Sequence, residues 1–90
     1  MKQLDKTFVG KGEVKGFIFT QKIKKPYGYV YAVLPPNGRP HYEVFRYKEN
    51  KRFGCVSYPT SKSFGVWAWS FTDYRKAIEK LIEIGESKNN

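Results

Sequence analysis

The sequence predicts an α+β fold class, an antiparallel meander of four to five strands with one C-terminal helix packed on one face. Two observations lead to this prediction. Short segments rich in β-branched and aromatic residues follow one another up to residue 70, and short polar or proline-containing turns separate them. The last part of the chain instead repeats its apolar residues at helical spacing. Since 90 residues support a single two-layer core, we expect one domain over residues 1–90.

The first strands are recognised by alternation and by the residues that interrupt it. Residues 1–12 are expected to form an N-terminal tail with a short edge strand at Thr7–Val9. Glu13–Ile23 is expected to form a long strand, closed by the lysines and proline that follow it. In the next predicted strand, Tyr27–Leu34, tyrosines alternate with compact residues, which is the clearest period of two in the chain.

The later strands follow from turn residues. The pair Asn37-Gly38 predicts a type I′ turn, because both central positions of that turn need positive φ. This hairpin leads into a strand at His41–Tyr47, and a polar turn at Lys48–Arg52 leads into another at Phe53–Tyr58. The last predicted strand is Phe64–Ser70. Because the connections are short, we expect neighbouring strands to pair in antiparallel fashion.

A helix is expected to follow the predicted sheet of residues 13–70. It covers residues 71–85, and a short tail occupies residues 86–90. Ser70 and Asp73 resemble a capping box at the helix start, and Gly85 is expected at the C′ position. The predicted apolar stripe of this helix consists of Tyr74, Ala77, Ile78, Leu81 and Ile84.

One helix covers only one face of a sheet. Val30, Ala32 and Leu34 suit the face under the helix, whereas the tyrosines opposite them combine an aromatic ring with a hydroxyl that tolerates water. We therefore expect the tyrosine face to be open. In the alternatives, the N-terminal arm or a second copy of the chain covers it. Trp67 and Trp69, two residues apart on one strand, are expected to point to the same side.

The positive charge of the chain is confined to the predicted sheet. Residues 1–70 carry 13 Lys or Arg against 4 Asp or Glu, whereas residues 71–90 carry 4 against 4. Fifteen of the 16 aromatic residues lie in residues 1–71. Because cations bind phosphates and flat rings stack on unpaired bases, this combination is typical of proteins that bind single-stranded nucleic acid.

The candidate nucleic-acid-binding residues are basic and tyrosine side chains on the second predicted strand and around the hairpins beside it: Lys22, Lys24, Lys25, Tyr27, Tyr29, Tyr31, Arg39, Arg46, Lys48, Lys51 and Arg52. In the alternative interpretation, the tyrosines form ordinary cross-strand pairs and the lysines are solvated charges at sheet edges. The net charge of +9 makes an acidic protein surface the second class of partner.

The sequence contains no catalytic, cofactor or metal signature. Pairing around the polar turn would place Arg46 opposite Cys55 and leave His41 on the other side of the sheet, too distant for a Cys-His dyad. We expect Cys55 to be a small buried residue. Gly10-Lys11-Gly12 lacks the pattern of a phosphate-binding loop, and no cluster has metal-ligand spacing. We therefore expect a protein that is not an enzyme and uses neither cofactor nor metal.

The compartment is predicted from the single cysteine and the polar start of the chain. One cysteine forms no internal disulfide, and Met-Lys-Gln-Leu-Asp lacks the apolar run of a signal peptide, so we expect a cytoplasmic protein. No apolar stretch approaches the roughly 20 residues that cross a bilayer, and the helix is charge-balanced. We expect no membrane role.

The order of strands and helix across Glu13–Ile84 is similar to that of the PUR repeat, in which a four-stranded meander carries the nucleic acid face. The resemblance is one of topology, without a shared sequence motif. The predicted function is non-enzymatic binding of single-stranded DNA or RNA, since a charge-neutral helix does not suit major-groove reading. The alternative is a protein-interaction or inhibitor module of the phage or mobile-element accessory type, homodimeric through its aromatic sheet face.

Overall fold

The computed structural model describes residues 1–88 of the chain. Its elements in chain order are β1 (Thr7–Val9), β2 (Ile18–Lys25), β3 (Gly28–Leu34), β4 (His41–Arg46), β5 (Glu49–Asn50), β6 (Cys55–Val56), β7 (Ala68–Phe71) and α1 (Tyr74–Lys88). Five strands form an antiparallel sheet in the order β1-β2-β3-β4-β7, and β5 pairs with β6 in a separate sheet. The helix packs against β3, β4 and β7. The predicted α+β class, with a sheet followed by one C-terminal helix, is confirmed.

Glycines shorten the first long strand. Gly12 and Gly16 adopt positive φ angles of 61° and 84°, and the chain between them begins with a 3-10 turn instead of an extended segment. As a result β2 begins at Ile18 and not at the predicted Glu13. It continues through the two lysines that were expected to close it. The short edge strand β1 is confirmed with its predicted bounds.

The hairpin between β3 and β4 is confirmed, but its turn differs from the prediction. Val33 pairs with His41, and the loop between the two strands spans residues 35–40. Neither Asn37 nor Gly38 has a positive φ, which excludes the type I′ turn. Prolines on both sides of the Asn-Gly pair remove main-chain donors and prevent the ladder from closing on a two-residue turn.

The segment between β4 and β7 differs most from the prediction. The predicted turn Lys48–Arg52 contains β5, and of the predicted strand Phe53–Tyr58 only β6 is extended. β6 pairs with β5, and β7 takes the place next to β4. The main chain of Lys2 bonds to Gly54 and Val56, so the N-terminal segment runs along β6. A small second layer therefore covers the sheet on the side opposite the helix.

The helix begins and ends later than expected. Asp73 is the N-cap residue, because its Oδ1 accepts a hydrogen bond of 2.8 Å from the main-chain nitrogen of Arg75. Ser70 belongs to β7 and pairs with Glu43, so the predicted capping box is wrong. Gly85 lies inside the helix, which extends through residues 86–88 of the predicted tail. The tail prediction for residues 89–90 lies outside the described part of the chain.

Gly85 has a packing role instead of a capping role. A Cβ atom at this position would lie 2.6 Å from the ring of Tyr27, so a larger residue would require this ring to shift away from the helix. Within residues 1–88, no helix has the length and the apolar content needed to cross a bilayer.

Two separate cores lie on the two faces of the sheet. The helix-side core consists of Val30, Val44, Ala77, Leu81 and Ile84. The aromatic core, on the opposite face, consists of Phe19, Tyr29, Tyr31, Val33, Phe45, Val56 and Ala68. The predicted helix stripe is confirmed at its three buried positions, while Tyr74 and Ile78 are half-buried at its margins.

Corrections concern the outer residues of each face. Of the three residues expected under the helix, only Val30 is buried there, and Leu34 is exposed because α1 does not reach it. The two tryptophans lie on opposite sides of the sheet. Trp67 precedes β7 and packs against the aromatic core, whereas Trp69 packs against the helix-side core. The expectation that both point to one side is therefore wrong, because the predicted strand begins four residues too early.

Candidate nucleic-acid interface

The tyrosines of β3 do not form an open surface. Tyr29 and Tyr31 are 1% and 0% exposed. The N-terminal segment and the chain between β4 and β7 cover them, with Phe8 and Tyr58 packed edge-on against the Tyr31 ring. The prediction of an open tyrosine face is wrong, and buried rings such as these two have no face on which a base can stack. A homodimer formed through this face would have to displace the covering segments.

The hydroxyl groups show why alternation misleads here. The Tyr31 hydroxyl donates to the main-chain oxygen of Asp5 at 2.7 Å and accepts from Gln21 Nε2 at 2.9 Å. A tyrosine whose hydroxyl finds partners inside the protein does not need water. Tyr27, the third predicted tyrosine, packs on the opposite face against Gly85 and the helix-side core.

Four of the predicted cations share one end of the sheet. Lys25 pairs with Gly28, and Gly28 pairs with Arg46. The last residue of β2 and the last residue of β4 therefore lie at the same end of the sheet. Lys24 precedes Lys25, and Lys48 follows Arg46 by two positions. We call this end of the sheet, with Lys24, Lys25, Arg46 and Lys48, the basic end.

The other predicted cations lie elsewhere. Arg39 is in the loop between β3 and β4, at the opposite end of the sheet. Lys22 occupies the bulge of β2, where the register shifts. Lys51 and Arg52 form the exposed turn of the β5-β6 hairpin. The eleven residues predicted as one constellation are therefore not a single surface.

Aromatic rings hold the cations of the basic end in place. The Nζ atom of Lys48 lies 5.0 Å from the ring centroid of Trp67. Above Trp69, Lys80 Nζ lies at 4.1 Å and Arg46 Cζ at 5.9 Å. These distances are in the range of cation–π attraction. A cation restrained on a ring loses less rotamer entropy when it binds a phosphate, so the site is partly preorganised.

The tryptophans and Lys80 are absent from the predicted set. Sequence periodicity shows that residue 80 lies on the flank of the helical stripe, but it does not show which strand the flank meets. In so small a domain, a tryptophan is also more often predicted to be a core residue than part of a binding site.

A cleft adjoins the basic end on the aromatic side of the sheet. Its volume is about 430 Å³, and it is lined by Gln3, Lys24, Lys25, Pro26, Tyr29 and Tyr47. The Tyr29 hydroxyl is buried without a hydrogen-bond partner among the described residues. Burial raises the pKa of Tyr29, which keeps this hydroxyl protonated and able to donate. The cleft therefore combines a hydrogen-bond donor with two ammonium groups, a chemistry that suits an anionic oxygen.

The carboxylates near this surface already have partners. Glu43 accepts from the Tyr58 hydroxyl at 2.8 Å and lies 3.1 Å from His41 Nε2. Glu49 accepts from the Tyr47 hydroxyl at 2.7 Å, and this bond raises the pKa of Tyr47. Within residues 1–87 only Lys80 among the lysines and arginines forms a salt bridge, with Glu83. Lys24, Lys25, Arg46 and Lys48 of the basic end therefore have no carboxylate partner among these residues.

The two residues considered for nucleophilic chemistry lie far apart in the fold. Cys55 pairs with Asn50 in the small sheet, so the predicted pairing with Arg46 is wrong. Its side chain is half-buried, not buried as expected, because it lies on a two-residue strand that nothing covers fully. His41 contacts Glu43. No group of three or more His, Cys, Asp or Glu suited to a metal ion occurs within the described residues.

Comparisons with protein-family models, with curated proteins and with solved structures found no match to this chain. The similarity to the PUR repeat thus stays a prediction from the order of elements. The function is argued from the chemistry of the basic end and its cleft.

Proposed function

We propose that this protein is a non-enzymatic module that binds single-stranded DNA or RNA at the basic end of its sheet. The observation that carries the proposal is the buried hydroxyl of Tyr29, which has no partner within residues 1–88, in a cleft lined by Lys24 and Lys25. In this proposal a phosphate oxygen in the cleft accepts a hydrogen bond from the hydroxyl and is neutralised by the two ammonium groups. The single free thiol of Cys55 is in keeping with a protein of the cytoplasm.

Neighbouring phosphates of the same strand extend the interaction along the sheet edge. The exposed Lys48 lies over Trp67 on the same face of the sheet as the cleft, whereas the half-buried Arg46 lies over Trp69 on the helix side of the same end. These contacts are to the backbone of the nucleic acid, so affinity depends on salt more than on base sequence. A single strand fits this arrangement better than a duplex, because α1 carries no excess of positive charge.

The test uses fluorescence anisotropy with a labelled 20-nucleotide dT strand, an rU strand of equal length and a DNA duplex, each across a salt series. Lys24→Ala should flatten the log-log salt dependence of the dT strand by about 0.7, the value for one phosphate contact. Lys62→Ala removes an exposed lysine from another part of the surface and should leave the slope unchanged.

Tyr29→Phe tests the cleft itself. Loss of a hydrogen bond to a charged oxygen should weaken binding about tenfold or more without changing the slope. The matched control is Tyr31→Phe, whose hydroxyl is satisfied inside the protein and faces no cleft of the basic end. Absence of binding by micromolar protein at about 100 mM salt would contradict the proposal, as would equal slopes for the two lysine variants.

A further inference from the structure

The helix covers only part of its face of the sheet. α1 packs on β4 and β3 and reaches β7, the strand at one edge. The order β1-β2-β3-β4-β7 leaves β1 and β2 beyond the helix, on the other side. Half of the helix-side face is therefore open.

The open half carries a row of aliphatic side chains on three adjacent strands. Val9 of β1 pairs with Ile18 of β2, and Ile18 pairs with Leu34 of β3. Directly paired residues point to the same side of a sheet. Their side chains are 60%, 42% and 47% exposed. We call these three residues the aliphatic ladder.

The exposed face of the helix does not add to this surface. Ile82 is 51% exposed. It follows Leu81, which packs beside Gly28, at the end of β3 opposite to Leu34. The open surface therefore consists of the aliphatic ladder and the sheet beside it.

The width of the open part of the sheet fits one more helix. Strands in a sheet are about 4.8 Å apart, and packed helices lie about 8–10 Å from each other. A helix placed two strands away from the one centred on β4 would lie over β2. The next row on this face contains Thr7, Thr20 and Ala32, which are small enough for close approach.

The charges around the open face determine what fits there. Residues 6–22 carry four lysines (Lys6, Lys11, Lys15 and Lys22) and one carboxylate, Glu13, all exposed. Arg39 is exposed in the loop after Leu34. A second copy of this chain would bring two such positive rims together, whereas an acidic partner would be attracted.

We propose that the open half of the helix-side face is a docking site for an acidic amphipathic helix of another protein. Its apolar side packs on the aliphatic ladder, and its carboxylates meet Lys6 beside β1, Lys22 of β2, and Lys11 and Lys15 in the turn between the two strands. This surface is distinct from the basic end, so the proposal does not depend on nucleic acid binding.

The probe for this site is a labelled 18-residue synthetic helix with leucine on one face and glutamate on the others. Its anisotropy should rise on titration with the full-length protein. A peptide of the same composition in scrambled order, and a peptide with lysine in place of glutamate, should bind at least tenfold more weakly, because the first lacks an apolar face and the second is repelled.

Ile18→Ser and Leu34→Ser test the site on two adjacent strands. Each should weaken binding of the acidic helix about tenfold, since each removes an apolar side chain from the contact. The matched control is Val66→Ser, an exposed aliphatic outside the site that should have no effect. Circular dichroism verifies that each variant is folded. Binding of dT strands should be the same for all three variants.

Two results would overturn the proposal. One is equal binding of the ordered and scrambled peptides, or equal loss in Ile18→Ser and Val66→Ser. The other is a dimer in sedimentation equilibrium that Ile18→Ser dissociates, which would make a second copy of this chain the occupant of the face.

Discussion

On the helix side of the sheet, one regular element with a single apolar stripe meets Val30 and Val44. On the opposite side, three short pieces of chain cover the sheet: the N-terminal segment, the β5-β6 hairpin and the loop that leads to β7. The first cover is aliphatic and the second is aromatic. Short pieces bury little area each, so large rings must supply the apolar contact that a helix otherwise supplies.

The aromatic cover also depends on polar contacts that the helix side does not need. Tyr31 and Tyr58 bury rings whose hydroxyls bond to Asp5, Gln21 and Glu43. Such a cover is specific, because each hydroxyl has a defined partner. On this side a buried hydroxyl can also remain without a hydrogen bond. The Tyr29 hydroxyl, which has no partner within residues 1–88, lies beside the cleft of the basic end.

The largest expected effect is loss of the helix cover. Leu81→Asp places a carboxylate in the helix-side core with no partner among the described residues, and we expect it to unfold the domain at 25 °C, a loss of more than about 4 kcal/mol. Thermal unfolding followed by circular dichroism measures this.

Its matched control is Ile82→Asp, one residue further along α1 on the exposed flank. This change should lower the free energy of unfolding by less than about 1 kcal/mol. Equal melting temperatures for the two variants would contradict the helix-on-sheet packing described above.

The second effect concerns pH and the aromatic cover alone. Burial raises the pKa of Tyr31 from 10.0 to about 12, and burial together with the Glu43 carboxylate raises the pKa of Tyr58. Above pH 10 the unfolded chain releases protons that the folded chain retains, so the free energy of unfolding decreases as pH rises from 10 toward 12. Tyr31 alone should contribute a loss of about 1 kcal/mol by pH 11.

Urea midpoints at pH 8 and pH 11 measure this loss. Lysines also titrate in this range, so the decisive quantity is the difference between the protein and its Tyr31→Phe variant, in which the decrease should be smaller. The same decrease in both would show that the tyrosine is not responsible.

The elements with a regular pattern could be predicted from the sequence. The stripe of Ala77, Leu81 and Ile84 is a helical period, and β3 is a period of two. In both elements the buried residues recur at the period of the secondary structure, so the pattern is visible in the sequence. β1, with only three residues, was found because short runs of β-branched and aromatic residues between polar stretches have a propensity for strands.

The aromatic cover could not be predicted in the same way. β5 and β6 have two residues each, too short for any period, and pair only because Lys2 and the sheet below support them. Tyr29 and Tyr31 alternate as surface tyrosines would, since alternation does not reveal whether a hydroxyl bonds to water or to Asp5. Of the candidate site, Lys24 and Lys25 at the end of β2 belong to the set predicted from the sequence, and this set stays a prediction. The contact of Lys80 with Trp69 depends on tertiary packing.

The smallest expected effect separates the two tyrosines of β3. Tyr31→Phe deletes a hydroxyl that donates to Asp5 and accepts from Gln21, and should lower the free energy of unfolding by about 1 kcal/mol. Tyr29→Phe deletes a buried hydroxyl that has no partner within residues 1–88. The change removes the cost of burying an unbonded polar group and should raise the free energy of unfolding by up to about 1 kcal/mol.

The opposite signs should be visible as melting temperatures a few degrees below and above that of the unaltered protein, since about 1 kcal/mol corresponds to about 4–8 °C in a domain of this size. A binding residue that is strained in the free state has this signature: its replacement stabilises the protein and weakens the complex. If Tyr29→Phe instead destabilises the protein as much as Tyr31→Phe, the Tyr29 hydroxyl forms a hydrogen bond in the free protein. That result would contradict the proposal that this hydroxyl is available to a phosphate in the cleft.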